Sequence, residues 1–425
     1  MSRTASDDTS QDSLSSSASP SADPPRTIYA AHEPAHWGAV LSMALGVFAL
    51  VTAEFLPAGL LTPIAGDLGV TEGLAGQAVT TTAAVASIMA LLAPTLTQRL
   101  DRRTVMLAFS TLVIASALLV SVATNVTVLF AGRVLLGIAL GGFWALSTPT
   151  IMRLVPPSLM PRAVAIVYSG ISAATVLAIP FGSYVGSFAG WRVVFAITAG
   201  LGVVALLAQA IALPRLASRG ATRLGSLLEL LRRPRLGPGF AAVILVFTGH
   251  FMFFTYIRPF LEGMAGIGVD AMSAILLGFG VAGFLGTYLA GFLLARRLRT
   301  TLVALPFAMS LLGAFLATLG GTPFGGAVPV VALVAFLVAL WGLAFGGVPV
   351  AWTTWAARAA PDQPESANAL IVAAIGLAIA LGAGIGGVVL DASNIVGVFV
   401  ASSTVLFAAV LLTLLGGVGR KDDGE

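Results

Sequence analysis

Two ionisable residues fall deep inside long apolar runs of this 425-residue chain: Glu54, in GVFALVTAEFLPAGLL, and Arg133, in LFAGRVLLGIALGG. A charge at the centre of a bilayer costs at least about 2.5–3.5 kcal/mol on insertion scales, so a residue of this kind normally faces a bundle interior and has a task. A carboxyl group buried in such a place can exchange a proton in the physiological range, which makes Glu54 the candidate proton carrier. The other use for it is a permanently paired carboxylate holding its helix to a neighbour. Arg133 stays protonated. At 1.5 Å per residue each of the two lies about 9 Å in from the outer end of its run, so Arg133 is the expected partner of Glu54. Closeness of the two would disfavour protonation of Glu54 and separation would favour it, coupling proton binding to conformation. The plainer reading of Arg133 is a clamp between helices.

A second group of residues is aromatic. The segment FTGHFMFFTYIRP, from Phe247 to Pro259, places Phe247, His250, Phe251 and Phe254 at helical spacing, where they could offer a stacking face to a flat heteroaromatic ligand. Tyr256 and His250 add polar groups, and an isolated imidazole in hydrocarbon needs a partner. Trp144, beside the Gly141–Gly142 pair, is a further candidate. Core packing is the commoner use of such a stripe. Trp352 and Trp355 are expected in the interfacial belt. There is no cysteine and there are only three histidines, His32, His36 and His250, so thiol chemistry and a His-rich metal site are excluded. No cofactor and no metal are expected.

The elements that must position these residues follow from composition. Hydrophobic residues make up 58% of the chain and charged ones 9%, against about 25% charged in an average soluble domain. One core cannot absorb that surplus, because cores stop growing at around 250–300 residues, so the chain is expected to be an integral membrane protein. Apolar runs of roughly 20 residues, the length that crosses a bilayer, are placed at about 38–60, 74–97, 104–124, 127–150, 162–187, 192–213, 239–261, 271–294, 301–320, 328–352, 367–389 and 394–416. The expected class is all-α with twelve transmembrane helices. Barrel strands are excluded because the runs are too long and do not alternate polar with apolar positions.

Charge gives the orientation. With both termini cytoplasmic, nineteen of the 22 cationic residues fall on the cytoplasmic side, while outer segments carry only Arg192 and Arg258 beside Asp67, Glu72, Glu262, Asp270 and Asp391. That is the positive-inside pattern. It accounts for the net charge of +4 without a nucleic-acid partner. Residues 1–36, rich in Ser, Asp and Pro, form an expected disordered cytoplasmic tail with no secretory signal.

The loop 214–238 is expected to be a cytoplasmic linker between two six-helix bundles, residues 37–213 and 239–416, with 417–425 a cytoplasmic tail. The bundles are internally similar: Gly137, Gly141, Gly142, Arg153 and Pro156 match Gly342, Gly346, Gly347, Arg358 and Pro361 at a constant offset of 205, and TAEFLP (Thr52 to Pro57) matches FTYIRP (Phe254 to Pro259). Arg133 corresponds to Val338, so the ionic residues belong to the first half alone. Two related bundles with a site between them at midplane is the plan of a secondary transporter. Gly137 with Gly141, and Gly182 with Gly186, are four apart and let backbones approach, while Pro57, Pro180 and Pro349 can bend helices where bundles rock.

At the level of motifs, RVLLG at Arg133 to Gly137 with Gly141, PFGSYVG at Pro180 to Gly186, and QRLDRR at Gln98 to Arg103 resemble the helix-4, helix-5 and loop 2–3 motifs of the major facilitator superfamily. In the loop, Gln98 stands where the superfamily usually has an aspartate and Asp101 where it has a glycine; Asp101 and Arg102 would belong to the gate. The stretches from Glu54 to Gln77, Gly132 to Ser147, Met152 to Pro157 and Phe253 to Pro259 resemble drug:proton antiporters, and among them bacterial purine ribonucleoside efflux pumps. That resemblance implies a monomer in the inner cell membrane exporting purine nucleosides such as inosine and guanosine as protons enter. The base would stack on Trp144 and the aromatics from Phe247 to Phe254, with His250 and Tyr256 bonding the ribose or base edges. Other readings are a broader drug or sugar exporter of the same superfamily, a passive channel, or a membrane-embedded enzyme. An enzyme would need clustered His, Asp or Glu at the membrane edge, and a channel would not need one acid and one arginine in a single half.

Overall fold

The structure is a computed structural model, which describes residues 35–217, 233, 236–265, 267–320 and 328–419. The expected N-terminal tail up to residue 34, most of the linker and the last six residues lie outside the described residues. Among the described residues thirteen α-helices follow in order: α1 (Trp37–Leu68), α2 (Glu72–Leu96), α3 (Arg102–Ser121), α4 (Val126–Ile151), α5 (Met160–Ala189), α6 (Trp191–Ala212), α7 (Leu236–Thr255), α8 (Ile257–Ala265), α9 (Val269–Arg296), α10 (Leu298–Gly320), α11 (Val328–Ala359), α12 (Pro364–Ala392) and α13 (Ile395–Leu415). Twelve spans within them are long and apolar enough to cross a membrane.

Local chemistry sets the helix ends. Thr71, Asp101, Asn125 and Asn394 cap α2, α3, α4 and α13 by accepting a backbone N–H from the first turn, the usual role of short polar side chains there. Helix α1 runs on to Leu68, past the expected end near residue 60, because neither Pro57 nor Pro63 stops it. It ends at Gly69, whose φ of 64° and N–H bond to the Ala65 carbonyl make a left-handed cap that a residue with a Cβ adopts only under strain. The seventh span, by contrast, is interrupted at Tyr256, between α7 and α8. Pro259 lacks the N–H that would serve the Thr255 carbonyl, and its ring crowds that turn.

The packing repeats between the halves. In the first six spans α1 lies on α5 and α6, α2 on α4, and α3 on α6; in the last six α7 lies on α12 and α13, α9 on α11, and α10 on α13. Across the halves α2 meets α12 and α5 meets α9, a pair of contacts related by the same pseudo-symmetry. Glycines allow the closest approaches. A Cβ at Gly141 would collide with the Ala86 carbonyl of α2, and one at Gly346, its counterpart, with the Gly283 carbonyl of α9.

Trp352 and Trp355 are not interfacial belt residues as expected. Both are buried, and Trp355 lies edge-on to Phe240 of α7 at 5.5 Å with its ring against Gly239. The absence of a side chain at Gly239 makes the slot that draws the indole inward.

Candidate functional site

Glu54 and Arg133 are both buried, and the backbone of α1 brings them together. Arg133, on α4, donates Nη1 to the Ala53 carbonyl at 2.8 Å and Nη2 to the Glu54 carbonyl at 3.2 Å, while Nε reaches the Ala78 carbonyl of α2 at 3.4 Å. Pro57, four residues after Ala53, has no N–H to give that carbonyl. The guanidinium thus satisfies an acceptor that α1 cannot satisfy itself, and joins three helices. The ion pairs among the described residues are Arg192 with Asp67, Arg233 with Asp362 and Arg258 with Glu262. Arg133 hydrogen-bonds Glu54 through the main chain alone, yet its charge acts through space on the Glu54 carboxylate.

It borders a small cavity between the halves. From the first half come Glu54, Phe55 and Ala58 of α1 and Val79 of α2; from the second come Phe251, Phe254 and Thr255 of α7 and Ile379 of α12. The cavity volume is about 10 Å³, close to what one water requires. Phe254 closes one wall by meeting Phe55 edge-on at 5.4 Å.

The aromatic stripe of α7 holds together, with His250 stacked on Phe254 at 5.4 Å and edge-on to Phe251 at 5.0 Å, but only part of it lines the cavity. Phe251 and Phe254 reach the cavity, whereas Phe247 and His250 turn into the second half. Phe247 packs edge-on to Phe345 of α11. The His250 ring lies parallel to Phe345 at 3.3 Å, and its Nδ1 accepts a hydrogen bond from Trp341 Nε1 at 3.1 Å. Tyr256 donates to the Ala383 carbonyl of α12 at 2.7 Å, and its ring fills the gap left by Gly76 of α2 and Gly386 of α12. Trp144 is apart from these: its ring partners are Phe143 and Tyr168, in the first half.

Sequence reasoning missed a set of polar contacts that join the halves at the end of the molecule where α1 gives way to α2. Asp391, near the end of α12, accepts from Thr71 Oγ1 at 2.8 Å and from the Gly73 N–H at 3.2 Å. It therefore completes the cap of α2 from across the interface, where a carboxylate also complements the helix dipole. One turn further in, Gln77 Nε2 donates to the Gly384 carbonyl at 3.2 Å. Arg258 of α8 is buried, pairs with Glu262 at 2.8 Å, and donates Nη1 to the Gly59 carbonyl of α1. Gly59 precedes Pro63 by four residues, so this acceptor too was vacated by a proline. The signal in the sequence was the proline pair of α1, which marks two free carbonyls, Ala53 and Gly59.

Among the described residues no group of three or more His, Cys, Asp or Glu could hold a metal ion. A family model described as the Major Facilitator Superfamily matches residues 43–363.

The chain belongs to the major facilitator superfamily.

It is 42% identical over 378 residues to the purine ribonucleoside efflux pump NepI of Escherichia coli, an alignment that covers 89% of this chain and 93% of that one. The pump of the same name from Shigella dysenteriae serotype 1 is also 42% identical, over 89% of this chain and 94% of that one. The crystal structure of the nucleoside transporter NupG shares the fold, with a TM-score of 0.71 at 14% identity over 88% of this chain and 99% of that one.

The remaining motif residues lie at the loop between α2 and α3 and at contacts of α5 with α1 and of α4 with α2. Asp101 caps α3 by accepting the Arg103 N–H at 2.8 Å, and Arg102, buried, donates Nη1 to Thr97 Oγ1 at 3.0 Å. On α5, a Cβ at Gly182 or Gly186 would press on Leu56 or Leu60 of α1, and Ile179, beside Pro180, sits against Gly59. Gly137 lies over the Thr82 carbonyl and Val85 of α2.

Proposed function

We propose that this protein exports purine ribonucleosides from the cytoplasm by alternating access, in exchange for protons that enter through Glu54. It works as a monomer in the cell membrane with both termini cytoplasmic. The observation that carries the reading is the position of Glu54: an acid in a cavity between two halves, in a chain 42% identical to a purine ribonucleoside efflux pump. In this orientation the contacts of Asp391, Gln77 and Arg258 lie on the outer side, so nucleoside approaches from the cytoplasmic side. The cavity of about 10 Å³ is far too small for a nucleoside, and admission requires the halves to part. The base then lies against Phe251 and Phe254. Departure of the nucleoside to the outside frees Glu54 to take an external proton, and release of that proton inside returns the site to its starting charge.

Everted membrane vesicles test this. Their lumen corresponds to the outside, so an acidic lumen should drive labelled inosine inward and should be alkalinised as inosine enters. Uptake that ignores the pH gradient overturns proton exchange, and absence of any nucleoside uptake overturns the substrate class.

A further inference from the structure

The Glu54 cavity has a second polar wall. Thr255, the last residue of α7, borders the cavity opposite the α1 side and is 1% exposed. Its hydroxyl has no hydrogen-bond partner. Thr82, Thr198 and Thr413 avoid this state by bonding the carbonyl four residues back; Thr52 and Thr80 share it with Thr255, but of the three only Thr255 lines the cavity. Leaving a buried hydroxyl unmatched costs about 1–3 kcal/mol, and such groups in native structures point to a missing partner.

The two polar side chains of the cavity differ in a useful way. A carboxylate only accepts hydrogen bonds, and a hydroxyl both donates and accepts. A vicinal diol is the complement: one hydroxyl donates to the carboxylate while its neighbour donates to the carboxylate or exchanges a bond with the threonine. The other walls, Phe251 and Phe254 among them, suit a flat ring system joined to that diol. We propose that Thr255 and Glu54 together bind the ribose 2′,3′-diol, and that Thr255 thereby selects ribonucleosides over 2′-deoxyribonucleosides. This rests on the export of nucleosides inferred above. Because the site is enclosed by apolar walls and built to bond a hydroxyl, an analogue lacking that hydroxyl leaves a polar group stranded, which is the circumstance in which discrimination is strong. The same carboxylate then serves diol and proton in turn.

The test uses the full chain in proteoliposomes and compares counterflow of labelled inosine and 2′-deoxyinosine in the wild type, Thr255→Val and Thr255→Ser. The wild type should favour inosine by about tenfold or more, the factor that one hydrogen bond to a charged or buried partner supplies. Thr255→Val should lose that preference, its ratio of inosine to 2′-deoxyinosine counterflow falling about tenfold toward one, while a wild-type thermal unfolding profile in detergent shows that it is folded. Thr255→Ser should keep the preference. A wild type that carries both nucleosides equally overturns the proposal and leaves nucleoside export standing. So does a Thr255→Val that keeps the wild-type ratio or loses both substrates in proportion. A wild type that carries neither overturns the export reading, and this proposal with it.

Discussion

Arg133 Nη1 bonds the Ala53 carbonyl at 2.8 Å, the one acceptor in that turn of α1 whose helical donor is replaced by the ring nitrogen of Pro57. The arginine therefore does two things at once. It repairs a proline-broken ladder in the membrane interior, where an unmatched carbonyl is costly, and it sets a fixed positive charge behind Glu54.

Arg133→Met should therefore lower stability by about 1–3 kcal/mol, the cost of a stranded buried acceptor. In a Pro57→Ala background, where the substituted alanine supplies the N–H, part of that cost should disappear. Unfolding in mixed detergent micelles of the two single variants and the double variant measures the coupling, and strictly additive effects would refute it.

Glu54→Gln should abolish the acceleration of nucleoside uptake by an acid lumen in everted vesicles. The sign follows from the direction of exchange: protons leave the lumen as nucleoside enters, so lowering luminal pH speeds the wild type and leaves the variant unchanged. A variant that still alkalinises the lumen on addition of inosine would remove Glu54 from the proton path.

Asp391→Ala removes both bonds that close the α2 cap from the opposite half. Since hydrogen bonds to charged groups contribute about 1.5–3 kcal/mol, the population open at that end should rise by about tenfold or more. The chain has no cysteine, so a single Thr80→Cys, on α2 facing Gly384 of α12, reports the opening cleanly. Labelling by a membrane-impermeant maleimide should accelerate by a similar factor in the Asp391→Ala background, and an unchanged rate would show that the cap is not a latch.

Gly141→Val drives a branched side chain into the α2 backbone at Ala86. Overpacking of this kind costs about 1–3 kcal/mol, and Gly346→Val should cost about as much at the equivalent contact of α9 with α11. Thermal denaturation in detergent decides this. Equal stability of either variant and the wild type would mean that the helices have room to separate.

Much of the architecture was legible in the sequence, because span length and apolar character are set by the bilayer and leave few alternatives. The recurrence of Gly137 and Gly141 as Gly342 and Gly346 disclosed the repeat, since only small residues fit where backbones touch. The site was less legible. Hydropathy identified Glu54 and Arg133 as rare, but the partner of each depends on which carbonyls the prolines vacate. Phe247, His250, Phe251 and Phe254 share one spacing and one aromatic cluster, yet only Phe251 and Phe254 border the cavity, a distinction that spacing alone does not carry. Asp391 and Arg258 looked like ordinary outer charges, and only the approach of α12 to α2 and of α8 to α1 makes them interhelical.

Pro63 leaves the Gly59 carbonyl of α1 to be served by Arg258 from the other half. When the halves part at this end, the carbonyl loses its donor and the guanidinium one of its acceptors, and water must take both places. Opening there is accordingly a hydration reaction as much as a hinge motion: the open state takes up solvent, and excluded osmolytes that lower water activity should bias the cycle toward the closed one.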